Sequence, residues 1–184
     1  MAGGLKLYDS SIHGDVVGGN KVVYEAAALT PLEQAIERII VTYEGNEELV
    51  EIIDELAEYF TDRPDREVIG LEEKLVQGDR KELIQNAVYL KYKFDRKVAK
   101  QQVSHVAQNV YVHVLSSIIT AFEQKIRPLI VEERDKSEID VIIYDEIILP
   151  IYRAVTRFDT MATPEEVSGM LYFLTGKCHL VWSK

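Results

Sequence analysis

The sequence predicts a mainly α-helical fold, a bundle of about six or seven helices preceded by a short N-terminal β-hairpin. Three observations carry that expectation. Beyond Leu29, apolar residues recur every three or four positions, the spacing that gives a helix one apolar face. Helix-opening residues stand at the starts of those stretches: Thr30 before Pro31, Asp79, Ser104, Ser137 and Thr163. β-Branched runs split by a glycine pair are confined to the first 25 residues. The expected division is a glycine-rich hairpin segment over 1–28 and an α-helical domain over 29–184.

In the hairpin segment, Ile12 to Val17 and Asn20 to Tyr24 flank Gly18-Gly19, and Leu5 to Tyr8 offers a third strand. Glycine supplies the positive φ of a tight turn. Two strands alone are marginal in water, so the hairpin must lie on the helices or pair with another chain. Gly14, Gly18 and Gly19 would let backbones approach, and Asp15 and Lys21, with Asn20 among the hairpin's interaction residues, would add charge pairing at such a junction. A homo-oligomer is therefore expected. Gly14-x4-Gly19 has the spacing of a phosphate-binding loop, but Asn20 stands where lysine is needed and Val22 follows Lys21 in place of Ser or Thr. Nucleotide binding is not expected there.

The helices follow in order. Thr30-Pro31 opens the first, lined by Leu32, Ile36, Ile39 and Tyr43 and ended by Gly45. Asn46 caps a second, with Leu49, Ile52, Ile53, Leu56 and Phe60 inside and Glu47, Glu51, Glu55 and Glu58 on a wet acidic face. Thr61 to Arg66 is a loop, and Leu71 to Gln77 a short helix closed by Gly78. Asp79 caps a long helix towards Gln102, with Leu83, Ala87, Leu90, Phe94 and Val98 inside. Ser104 caps the next, whose Val106, Val110, Val114, Leu115, Ile118, Ile119, Phe122 and Ile126 make it the expected central, most buried helix, with Pro128 breaking or bending it. Ser137 opens another, with Ile139, Ile143, Ile147 and Ile151 inside and Pro150 kinking or splitting it. Thr163-Pro164-Glu165-Glu166 is a capping box for the last helix, which Gly176 stops. His179 to Trp182 should return to the core.

Lys plus Arg is 21 and Asp plus Glu is 31, so the net charge is 21 − 31 = −10. Such a balance disfavours phosphate backbones and anionic membranes. No apolar run approaches the ~20 residues of a membrane span, and the start lacks the features of a secretory signal. One cysteine, Cys178, leaves no internal disulfide and no multi-cysteine metal site. A cytoplasmic protein is expected. The charge is uneven, with 14 acids against 3 bases from Glu33 to Glu73 and 8 bases against 3 acids from Lys74 to Gln101. The halves differ, −11 against +5, and suit self-complementary packing or a charged partner.

No residue set here announces catalysis, a metal or a cofactor. His105 and His113 lie two helical turns apart, roughly 12 Å, too far for one ion, and His113, among apolar neighbours, is expected in the core. Cys178 and His179 are adjacent on an extended tail and point to opposite faces. Glu132-Glu133-Asp135 and Asp145-Glu146 read as solvated helix ends. The basic stretch around Lys93, Arg96, Lys97 and Lys100 shares one helical face with Tyr89 and Tyr92 nearby. Docking on the acidic Glu47-to-Glu58 helix or on a protein partner is the expectation; nucleic-acid contact by an accessory protein is the alternative. An enzyme with an unrecognised carboxylate site is a third reading.

Leu71-Glu72-Glu73-Lys74-Leu75, Lys136-Ser137-Glu138-Ile139-Asp140 and the terminal block from Gly169 to Trp182 (G-M-L-Y-F-L-T-G-x-C-H-x-x-W) resemble the helical C-terminal domain of ABC-three-component systems, prokaryotic conflict (defence) systems related to Lamassu. The resemblance covers residues 70 to 184. It implies a non-catalytic interaction module that couples an effector to an ABC-type ATPase of the chromosome-maintenance class and a middle component. Tyr172, Gly176, Cys178, His179 and Trp182 are then motif residues with structural roles. The glycine hairpin resembles an element found ahead of helical domains in such systems, with Asn20 in place of an expected aspartate; Lys177 replaces a small polar residue. No effector signature precedes the helices, so the coupling module is expected alone, beside an effector encoded elsewhere.

Overall fold

The computed structural model describes residues 28–44, 53–101 and 104–184, without the side chains of 99–101. The hairpin segment, with Gly14, Asp15, Gly18, Gly19, Asn20 and Lys21, lies outside the described residues, as do Gly45 and the expected start of the second helix from Asn46 to Ile52; Ile53, expected inside that helix, is extended at ψ 147° and precedes a helix that starts at Asp54. The helices are α1 (Pro31–Thr42), α2 (Asp54–Phe60), α3 (Leu71–Gln77), α4 (Ile84–Gln101), α5 (His105–Ala121), α6 (Arg127–Val131), α7 (Lys136–Ile143), α8 (Leu149–Val155) and α9 (Pro164–Gly176). Wide π-turns, Phe122–Ile126 and Tyr144–Ile148, join α5 to α6 and α7 to α8. The described residues thus hold seven continuous helical stretches and no strand.

Those π-turns are the answer to the two prolines. Pro128 and Pro150 each sit in the first turn of the helix that follows. A proline within a helix cannot donate to the carbonyl four residues back, and its ring crowds that carbonyl. One wide turn upstream shifts the hydrogen-bond ladder, and the helix continues. Neither proline breaks its helix.

The core pairs α4 with α9. Ala87, Leu90, Phe94 and Val98 face Val167, Met170, Phe173 and Leu174, all buried. Phe173 packs edge-on against Phe60 and Phe94, with ring centroids 5.1 and 5.3 Å apart. The close approach needs Gly169, because a Cβ there would lie 2.6 Å from the Leu90 carbonyl oxygen. Helix α5 buries Val110, Val114, Leu115 and Ile118, while Val106 is only half-buried. The most enclosed helix is α9 rather than α5, with Val167 and Gly169 to Thr175 all buried. A wide apolar stripe reports how much of one face is covered, not whether the opposite face is covered too.

Local details correct several expectations. Asp79 does not cap α4; it ends α3 in the left-handed region at φ 54°, and a 3-10 turn, Lys81–Leu83, leads into α4. Helices α3, α6 and α9 end alike, with Asp79, Glu133 and Cys178 at positive φ. The next amide reaches back five residues: Arg80 to Leu75, Arg134 to Leu129, His179 to Leu174. Gly78 and Gly176 therefore stand at the helix ends without supplying the positive φ. Gly78 serves contact instead, since a Cβ would lie 2.7 Å from Trp182 Cβ. Asp135, not Ser137, caps α7, accepting from the amides of Ser137 and Glu138. Ser104 caps α5 and Thr163 caps α9. His113 is exposed, because its direction on α5 departs from the Val110–Val114 face although its sequence neighbours are apolar.

Candidate docking face and C-terminal motif

The terminal block closes the bundle. Beyond α9 the chain turns at Cys178 and lays Leu180 and Trp182 into the core, 0% and 3% exposed. The Trp182 ring lies 5.2 Å from Phe122 and 5.5 Å from the Arg80 guanidinium, and its indole N–H donates to Thr175 Oγ1 at 3.0 Å. Tyr172 is buried one turn earlier, and burial pushes its hydroxyl pKa up. The buried Cys178 thiol donates to the Glu67 carbonyl at 3.5 Å. His179 lies 5.7 Å from the Tyr59 ring, and burial, then the positive charge of Arg63, lowers its pKa. Cys178 and His179 thus face different neighbours.

The basic helix face is largely neutralised from within. Lys97 bonds to Asp159 and Glu166, and Lys93 to Glu165 at 2.7 Å, so α4 meets the start of α9 and the loop before it. Burial opposes the Lys97 charge, yet the two carboxylates outweigh it and raise its pKa. Burial likewise raises the Glu166 pKa. Among the described residues the acidic partners are therefore Asp159, Glu165 and Glu166, while α2, in the described part of the Glu47-to-Glu58 stretch, packs on α5. The Lys100 side chain lies outside the described residues. Arg96 is exposed and stacks over Tyr92 at 5.6 Å, as Lys93 does over Tyr89 at 5.5 Å.

That pairing leaves an outward face on α4. Tyr89 and Tyr92 are 58% and 57% exposed, with Val88 beside them. An open groove next to it is lined by Val68, Glu72, Glu73, Val88, Tyr92 and Lys177. Exposed tyrosines beside an arginine are the side chains on which protein interfaces concentrate binding energy.

Sequence reasoning passed over several residues. Arg80 is buried at 3% exposure and held by Asp140 and Glu82; burial opposes its charge and the two carboxylates prevail. Lys74 is buried at 7% exposure. Neither carries a sequence signal that separates it from surface bases. Thr30 and Glu33 form a reciprocal capping box that the T-x-x-E spacing announces. Among the described residues, no group of three or more His, Cys, Asp or Glu is placed to hold a metal ion, and no helix is long and apolar enough to cross a membrane.

The structure defines a helical domain closed by its own C-terminal segment, with an aromatic and basic face turned outward. Residues 70–182 match the C-terminal domain 9 of the ABC-three component (ABC-3C) systems, and the chain belongs to that family. No curated protein and no solved structure matches the chain.

Proposed function

We propose that this protein is a non-catalytic interaction module that couples an effector to an ABC-type ATPase and its middle component in a prokaryotic defence system. The observation that carries the reading is the family match over residues 70–182, a domain of multi-component systems. The α4 face of Tyr89, Tyr92 and Arg96 supplies the docking surface, because its aromatic area is free while most of the helix's other bases are engaged within the chain. The same engagement of Lys93 and Lys97 weakens the nucleic-acid alternative. Tyr172, Gly176, Cys178, His179 and Trp182 hold the domain together, and the glycine-rich N-terminal segment contributes to self-association. Affinity purification after co-expression with the ABC-type ATPase and middle component of the same system tests the reading. Stoichiometric co-elution is expected, reduced at least tenfold by Tyr92→Glu with Arg96→Glu. Failure to co-elute, or co-elution indifferent to that variant, would displace the coupling role or its surface respectively.

A further inference from the structure

Lys74 lies on α3 with 7% of its surface exposed, and no carboxylate is within ion-pair distance of it among the described residues. Its ammonium donates to the Thr175 carbonyl at 2.6 Å, at the C-terminal end of α9. A cation is well placed there, because the helix end carries partial negative charge. That contact nevertheless uses one of three N–H donors. Among the described residues the other buried Lys or Arg is better matched: Arg80 has both Asp140 and Glu82.

A cavity of about 240 Å³ adjoins Lys74. Its walls are largely apolar, from Ile69, Leu180, Val181 and Trp182. Arg66 stands at its side, donating from one terminal nitrogen to the carbonyls of Cys178 and His179, and its charge is partly offset by Glu123 at 3.5 Å. The one carboxylate on the lining, Glu67, is exposed, where water screens it. The arrangement is an apolar pocket with an ammonium that lacks a counter-charge. Transfer of a bare charge from water is costly unless an opposite charge meets it, and a ligand carboxylate would complete Lys74 without displacing the Thr175 contact.

We propose that this cavity is a carboxylate-binding site, taking one apolar group of about leucine size with its carboxylate on Lys74. The inference is independent of the coupling role. Two sources share that chemistry: a small aliphatic acid, and the free C-terminus of a peptide ending in an apolar residue. Trp182 is the single tryptophan of the chain and lines the cavity, so its fluorescence and its indole N–H resonance report occupancy directly.

The test titrates the full chain with isovalerate and with isovaleramide, and with Gly-Gly-Gly-Leu as free acid and as amide. The acids are expected to give a saturable Trp182 response and the amides a response at least tenfold weaker. A free acid that matches the peptide identifies a small-molecule site; a peptide acid at least tenfold tighter identifies a chain terminus. Lys74→Met should abolish the difference between acid and amide. The acid–amide comparison is made on the unaltered protein, so it stands even where the variant fails to fold. Equal responses to acid and amide, or no saturable response to any of the four, would overturn the proposal.

Discussion

Helix α9 and helix α1 are held in opposite ways. In α9 and the tail behind it, most residues from Val167 to Trp182 are buried, and the contacts are those of shape: Gly169 under Leu90, Phe173 between two other rings, Trp182 over Gly78. In α1 only Ile36 is buried outright. Leu32, Ile39 and Ile40 lie half-buried against the core, and directional contacts at its first turns add to them. Thr30 accepts from the Glu33 amide at 3.2 Å, the Glu33 carboxylate accepts from the Thr30 amide at 2.7 Å, and Arg157 holds Glu33 and Glu37. A central element tolerates little change of volume, whereas a peripheral one depends on a few polar geometries. The family signature falls on the central element.

Breaking the central side should cost most. Trp182→Ala removes the largest side chain of the tail and its contacts with Phe122, Arg80 and Thr175. A loss of about 3–5 kcal/mol is expected, as for large aromatic truncations in cores, measured by urea denaturation followed by circular dichroism. A loss under about 1 kcal/mol would show that the tail is not part of the cooperative core.

The peripheral side should yield less. Thr30→Ala removes half of the capping box on α1 and is expected to cost about 1 kcal/mol in the same measurement. A cost rivalling that of Trp182→Ala would erase the distinction between the two helices.

The finest comparison is one of sign. The Glu33 carboxyl is held below its usual range, first by the Thr30 amide, then by the Thr30 hydroxyl and by Arg157. A carboxyl lowered on folding contributes stability above its unfolded pKa and loses it as pH falls through the lowered folded value. Glu166, at the start of α9, is raised by burial. A raised carboxyl contributes stability that is full below the unfolded pKa and lost as pH rises through the folded value. Thermal unfolding across the acid range should therefore show Glu33→Gln lessening the fall in stability towards low pH and Glu166→Gln deepening it. Parallel pH profiles for the two variants would mean that burial and capping act on these carboxyls in the same direction.

Much of the helical layout was legible in the sequence, because its causes are local. Leu71 to Gln77, the caps at Thr30, Ser104 and Thr163, and the buried series Ala87, Leu90, Phe94 and Val98 follow from spacing and capping chemistry within a few residues. The motif block was legible as a resemblance, and the family match over 70–182 bears out that part. The basic face was legible as a cluster, but its partners were not. Asp159, Glu165 and Glu166 lie more than sixty residues from Lys93 and Lys97, and no local pattern links them.

By itself, then, the sequence determined most of the helices and the membership of the family, since period, caps and motif are written in adjacent residues. Only the tertiary structure decided which helix is central, that Gly78 and Gly169 serve close approach, and that Lys74 is buried while Tyr89 and Tyr92 are exposed. Burial is set by what packs against a residue from a distant part of the chain, and a helical period says only which residues share a face.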